Sequence, residues 1–127
     1  MSIDILINVQ YKLCMFVDVK VIDIENHNIS EINNTMINNK DDFSYIDNDN
    51  SICDIRVFDD GIQINKKNSG YILNLCLRQN PYAFIETNEG KLKFDVKIVD
   101  FNKNNDILVM RYVLSEQEHE IQIRYRS

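Results

Sequence analysis

Residues 80–99 read NPYAFIETNEGKLKFDVKIV, and this stretch decides the fold. After Gly90, apolar residues take every second position and mostly charged residues lie between them; the apolar positions are Leu92, Phe94, Val96 and Ile98. A period of two is typical of a β strand with one buried face and one solvated face. Another extended-looking run, residues 82–87, precedes Asn88-Glu89-Gly90, so the stretch predicts a β hairpin with its bend at Gly90.

The same alternation begins the chain. Apolar residues occupy nearly every odd position from Ile3 to Val21. A strand of that length exceeds the usual range, so we expect either one long bent strand or two strands that reverse near residues 10–16. After Val21 the pattern shifts by one position, which predicts a bulge or a strand end.

Further alternating runs follow in the second half of the chain, at residues 51–58, 71–77 and 121–126. Asp59-Asp60-Gly61 predicts a hairpin turn after the first of these runs. Residues 107–114 are apolar on both faces apart from Arg111. Such a run predicts a central strand, with a turn near residues 116–118 after it.

Residues 25–50 are polar and rich in asparagine. Three interpretations are open for this segment. It is a disordered linker, or it forms two short strands with a turn at residues 38–41, or it contains a short helix over Ser30–Ile37.

Taken together, these patterns predict an all-β fold. About eight to ten short strands in sequential order are typical of a single antiparallel meander barrel. Closure of the barrel leaves no exposed strand edge, which suits a chain with so much β pattern. A chain of 127 residues fits one domain spanning 1–127.

Composition narrows the classes of partner. The net charge of −6 gives no bulk attraction to nucleic acid or to anionic lipid, so neither partner is expected. No apolar run has the length of a membrane span, and the start of the chain lacks the pattern of a secretory signal, so we expect a cytoplasmic protein. Cys14, Cys53 and Cys76 are odd in number and widely spaced, so free thiols are expected rather than disulfides or zinc ligands.

From about Ile52 to Arg126 the chain resembles the uncharacterised bacterial YwiB-like family. The shared features are a strand pair that ends in Gly70, the turn Thr87-Asn88-Glu89-Gly90, and the strand with Tyr112-Val113-Leu114. The family has an arginine shortly before the glycine, where this chain has Lys66 or Lys67, and a Pro-Tyr pair inside the turn. The resemblance implies a lipocalin-like (calycin-type) β-barrel of bacterial, cytoplasmic origin and implies no chemical activity.

The residues that carry chemistry do not form a catalytic pattern. His27 lies in a polar turn, and His119 stands between two glutamates whose side chains point away from its own in a strand. Neither histidine lies near Cys14, Cys53 or Cys76 in sequence, and three scattered glycines exclude a phosphate loop. We therefore expect no catalytic residue, no cofactor and no metal, and an enzyme is the least supported class.

Two binding hypotheses remain. In the first, the protein is a non-catalytic binder that holds a small apolar ligand in the barrel. The candidate lining residues are Tyr71, Leu73, Leu75, Leu92, Phe94 and Val96. Arg111 and Arg124 are candidates for an anion contact at the barrel mouth, or else they pair with nearby glutamates on a solvated exterior.

In the second hypothesis, the barrel is filled and the chain is a protein–protein interaction module. It is then an assembly subunit or an acidic inhibitor, and either a monomer or a homodimer. The apolar residues on both faces of residues 107–114 motivate this alternative.

Overall fold

The computed structural model describes residues 15–127, which form eleven β strands. In chain order the strands are β1 (Met15–Asp23), β2 (Asn28–Ile37), β3 (Asp42–Ile46), β4 (Ile52–Phe58), β5 (Gly61–Lys67), β6 (Ile72–Leu77), β7 (Tyr82–Thr87), β8 (Gly90–Phe94), β9 (Val96–Lys103), β10 (Ile107–Leu114) and β11 (Gln117–Arg126). The predicted all-β, antiparallel architecture is confirmed, with more strands than expected. No helix among the described residues is long and apolar enough to cross a membrane.

The strands form two antiparallel sheets. A six-stranded sheet runs in strict sequence order, β3-β4-β5-β6-β7-β8. A five-stranded sheet has the order β2-β1-β11-β10-β9, so that β11 lies between β1 and β10. Sequential hairpins therefore build the first sheet, whereas the second joins distant parts of the chain.

The hairpin predicted around Gly90 is confirmed, and Asn88 and Glu89 connect β7 to β8. The alternating residues after Gly90 do not form a single strand with a single partner strand. The alternation crosses Asp95, where β8 ends its pairing with β7 and β9 begins its pairing with β10. The carbonyl oxygen of Asp95 accepts a hydrogen bond from the backbone N–H of Ser115 at 3.0 Å, which fixes the crossing point.

The asparagine-rich segment contains two strands, β2 and β3, with the turn at residues 38–41. The linker and helix alternatives are wrong, because pairing with β1 turns Ile32 and Ile37 of β2 toward the core. A shift in register between Val17 and Val19 marks a bulge in this pair. There Asn34 adopts a φ of 62°, a conformation that asparagine tolerates well.

The start of the predicted alternation, from Ile3 to Leu13, lies outside the described residues, as does Cys14. The described part of that alternation forms β1, which ends at Asp23 close to the predicted shift in pattern.

The core lies between the two sheets and takes side chains from both. Its fully buried members include Val17, Ile55, Ile62, Leu77, Leu108, Met110, Ile121 and Ile123. The predicted turn before β5 contributes a close backbone contact. A Cβ atom at Gly61 would lie 1.9 Å from the carbonyl oxygen of Leu77, so only glycine fits there.

Candidate binding site on the inner face of the six-stranded sheet

One row of side chains crosses the inner face of the six-stranded sheet at right angles to the strands. Each member lies opposite the next in the registered strand pairs. The row consists of Tyr45, Cys53, Lys66, Leu73, Ile85 and Leu92. We call it the inner row, because the residues two positions along the same strands, such as Ile55 and Leu75, belong to the core.

The inner row is buried at its β3 end and exposed at its β8 end. Tyr45 is 8 % exposed and Cys53 is also buried, whereas Lys66, Leu73 and Ile85 are half-buried. Leu92, at the far end, is 59 % exposed. The row therefore has a covered half at Tyr45 and Cys53 and an open half at Leu73, Ile85 and Leu92.

The covered half is uncharged at neutral pH. Burial raises the pKa of the Cys53 thiol to about 11 and holds the pKa of Tyr45 above its ordinary value. Burial also raises the pKa of Tyr112, on β10 of the opposite sheet, to about 12. A thiol with such a pKa is protonated at neutral pH, so Cys53 is an inert packing group rather than a nucleophile.

Lys66 stands between the two halves and is held by carboxylates from the loop after β3. Its Nζ lies 2.9 Å from Oδ2 of Asp47 and 3.3 Å from Oδ2 of Asp49. Burial disfavours the charged form of Lys66, but the hydrogen bond and charge of Asp47 outweigh it and keep the pKa of Lys66 above its ordinary value.

The same loop is tied to the start of β6. The hydroxyl group of Tyr71 donates a hydrogen bond to Oδ2 of Asp49 at 2.8 Å. The buried Ser51 accepts a hydrogen bond at its Oγ from Nδ2 of Asn68 at 3.1 Å, and its backbone N–H donates to Oδ1 of Asp49 at 3.0 Å. Hydrogen bonds from Ser51 and Tyr71 hold the pKa of Asp49 below its ordinary value.

These polar residues form a rim beside the open half of the inner row. We call the set Asp47, Asp49, Ser51, Lys66 and Tyr71 the polar rim. Two carboxylates against one ammonium leave the rim with a net negative charge. An apolar surface beside such a rim can bind a ligand that carries a neutral or cationic polar end.

The predicted lining residues separate into three groups in the structure. Leu73 and Leu92 belong to the open half, and Tyr71 belongs to the polar rim. Leu75 is buried, and Phe94 and Val96 are partly buried against the core cluster, so these three belong with the core rather than with the open half. Their role toward a ligand stays a prediction.

The two predicted anion-contact arginines lie on the outer face of the five-stranded sheet. Arg111 faces Glu120 across the β10–β11 ladder, and its Nη2 lies 3.0 Å from Oε1 of that residue. Arg124 lies further along the ladder, opposite Ile107, in a shallow groove that also contains Asp18. A carboxylate thus lies near each guanidinium group. This arrangement resembles the alternative prediction, in which these arginines form ion pairs on a solvated face.

Sequence reasoning missed Ile85 and did not assign Lys66 to the inner face. Both signals were present, because Ile62, Ile64 and Lys66 alternate on β5, and Ala83 and Ile85 alternate on β7. Only the family resemblance pointed to Lys66 in the sequence, as one of the two lysines shortly before Gly70. The pairing of Lys66 with Asp47 and Asp49 had no local signal, since it joins strand β5 to the loop after β3.

Among residues 15–127, no three His, Cys, Asp or Glu side chains lie close enough together to hold a metal ion. His119 instead stacks on the ring of Tyr112, with the ring centroids 5.4 Å apart.

Comparison with known proteins gives one structural likeness. The chain matches no protein-family model and no curated protein. Its structure matches the crystal structure of the YwiB protein from Bacillus subtilis over 93 % of this chain and 97 % of that chain, with a TM-score of 0.45 and 15 % sequence identity. The resemblance to YwiB that the sequence predicted is confirmed by this match.

Proposed function

We propose that the protein is a non-catalytic binding protein that holds a small apolar ligand against the open half of the inner row. The observation that carries this proposal is the adjacency of Leu73, Ile85 and Leu92 on neighbouring strands, all partly exposed. Three strands about 4.8 Å apart present an apolar strip roughly 10 Å wide. Covering that strip removes apolar surface from water, which stabilises the complex.

The polar rim indicates the chemistry of the ligand's other end. Its net negative charge disfavours a carboxylate and favours a neutral hydroxyl or an amine. We therefore propose an amphipathic molecule with a short apolar body and an uncharged or cationic end.

We further propose that the two sheets close into a calycin-like barrel whose mouth is this site. The continuous backbone through Asp95, from β8 to β9, supports closure on one side. The short turn between β2 and β3 supports closure on the other side. A barrel of this kind holds one small ligand in its mouth.

Fluorescence of N-phenyl-1-naphthylamine, a neutral apolar dye, tests the proposal. We expect enhanced emission with the wild-type protein, and Leu92→Ser weakens dye binding about tenfold. Ile29→Ser is the matched control, because Ile29 is also 59 % exposed but does not belong to the inner row. Equal dye binding by the two variants, or no enhancement with the wild type, would overturn the proposal.

Displacement of the dye tests the rim. We expect decanol to displace the dye at a lower concentration than decanoate, since the two carboxylates repel an anion. Stronger displacement by decanoate would contradict the assigned polarity of the ligand's end group.

An interaction module is the second candidate, and one observation favours it. Ile46 and Ile52 face each other across the β3–β4 pair on the outer face, and both are exposed. An exposed apolar pair at the edge of a sheet is a surface on which a second chain can pack. Light scattering of the wild type and of Ile46→Ser tests this candidate, and a protein that is monomeric at every concentration contradicts the assembly version.

A further inference from the structure

The outer face of the six-stranded sheet carries a polar groove that is separate from the inner row. Its volume is about 640 Å³, and it runs across β4, β5, β6 and β7. The side chains that line it and carry the inference are Asp54, Arg56, Gln63, Asn65, Asn74 and Tyr82. Four neighbouring strands give the groove a length of roughly 15 Å.

The middle of the groove is a ladder of amide and carboxylate groups. Asp54, Asn65 and Asn74 lie opposite one another on three neighbouring strands. Nδ2 of Asn65 donates a hydrogen bond to Oδ1 of Asn74 at 2.7 Å. Each amide has both a donor and an acceptor group, so Oδ1 of Asn65 and Nδ2 of Asn74 are not used by this bond. The bond orients the two amide groups in the absence of a ligand.

An aromatic ring closes one end of the groove. Tyr82 is 49 % exposed, and its ring is nearly parallel to that of Phe84, with centroids 6.2 Å apart and an angle of 9° between the planes. Nζ of Lys91 lies 3.8 Å from the centroid of the Phe84 ring. Phe84 therefore supports Tyr82 from one side, Lys91 in turn lies over Phe84, and the Tyr82 ring forms part of the groove wall.

The charges of the groove cancel. The carboxylates of Asp42 and Asp54 are balanced by the cations Arg56 and Lys67, all of which line the groove. A balanced groove on a protein with a net charge of −6 gives no attraction to an anion. The complementary ligand is neutral and rich in groups that both donate and accept hydrogen bonds.

We infer that the outer groove is a binding site for a short neutral oligosaccharide. Sugar hydroxyl groups donate to Asp54 and accept from the amides, which matches both functions of the ladder. The apolar C–H face of a sugar ring packs on an exposed aromatic ring, and Tyr82 supplies that ring at the groove's end. This inference does not rest on the function proposed for the inner row, because the two sites lie on opposite faces of the sheet.

An NMR titration tests the inference, with ¹⁵N-labelled protein and cellotriose, maltotriose and chitotriose as the probes. We expect at least one trisaccharide to shift the amide resonances of groove residues on β4 to β7. Tyr82→Ala weakens that binding about tenfold, and Tyr82→Phe restores most of it because the ring remains. Asn74→Ala removes one hydrogen-bonding side chain and weakens binding about fivefold.

Two control variants match the test variants. Val99 is as exposed as Tyr82 and lies on the other sheet, so Val99→Ala leaves saccharide binding unchanged. Asn33→Ala, at an exposed asparagine on β2 outside the groove, is the control for Asn74→Ala and leaves saccharide binding unchanged. Absence of shifts with all three sugars, or equal losses in Val99→Ala and Tyr82→Ala, would overturn the inference. Leu92→Ser leaves saccharide binding intact, so this site and the inner-row site succeed or fail independently.

Discussion

The two halves of the inner row share one sheet, one face and one alternating pattern, yet Tyr45 is buried and Leu92 is largely exposed. The difference comes from what covers them. Tyr45 and Cys53 belong to the cluster that also contains Tyr112 of the opposite sheet. Leu92 lies on β8, the last strand of the six-stranded sheet. A period of two therefore identifies a face, whereas the opposite layer decides whether that face is buried.

The largest expected effect tests the packed side of this comparison. Ile55→Ala removes a fully buried side chain from β4 and leaves a cavity, so the free energy of unfolding falls by about 2–5 kcal/mol. Urea denaturation followed by circular dichroism measures the change. Ile52→Ala, on the outer face of the same strand, is the control and lowers stability far less. Equal effects at the two positions would contradict the assigned faces of β4.

The boundary between the two halves depends on Lys66. Lys66→Met keeps the apolar part of the side chain but removes the ammonium group between Asp47 and Asp49. The two neighbouring carboxylates then lack this cation. We expect a loss of about 1–3 kcal/mol in the free energy of unfolding, since a partly buried charge loses its partner.

Lys67→Met is the matched control for Lys66→Met, because Lys67 is the next residue but is exposed on the outer face. Urea denaturation of both variants makes the comparison. A smaller loss in Lys66→Met than in Lys67→Met would refute the role given to the polar rim.

The pH dependence of stability gives a smaller effect at the same rim. The pKa of Asp49 is lower in the folded chain than in the unfolded chain, so its ionised form stabilises the fold above about pH 4. That stability is lost as the pH falls through the folded-state pKa. The stability of Asp49→Asn therefore differs from that of the wild type at pH 7, and this difference in stability shrinks toward low pH. Thermal unfolding at a series of pH values measures this, and a difference that grows in acid would be the wrong sign.

The smallest effect is expected on the open side. Leu92→Ala removes a side chain that is mostly in water, so the free energy of unfolding changes by about 0.5 kcal/mol or less. The same variant still weakens binding of the apolar dye. Thermal unfolding and dye titration of one sample separate these two results. A loss of stability like that of Ile55→Ala would show that the open half is covered in solution.

Much of the fold follows from local patterns in the sequence. The turns at Gly61 and Gly90 were predictable because short polar segments with glycine separate alternating runs. The turn at residues 38–41 was one of three open alternatives, since asparagine is common both in turns and in disordered segments.

The division into two sheets was not predictable from the same patterns. Apolar and polar residues alternate without interruption from Leu92 to Ile98. No residue type marks Asp95 as the point where the partner strand changes. The open half was only partly predictable, because Leu73 and Leu92 share their pattern with the buried Leu75. Exposure depends on contacts between strands that are distant in sequence, and a periodic pattern does not record those contacts.

The position of β11 has a consequence for synthesis of the chain on the ribosome. β11 pairs with β1 on one side and with β10 on the other, so the five-stranded sheet is incomplete until residues 117–126 have emerged. The six-stranded sheet is built from consecutive hairpins and can form earlier. Before β11 has been synthesised, β1 and β10, with their apolar inner faces, lack the strand that pairs with both of them. A nascent chain halted before residue 117 should therefore associate with chaperones more strongly than a chain that includes residues 117–126.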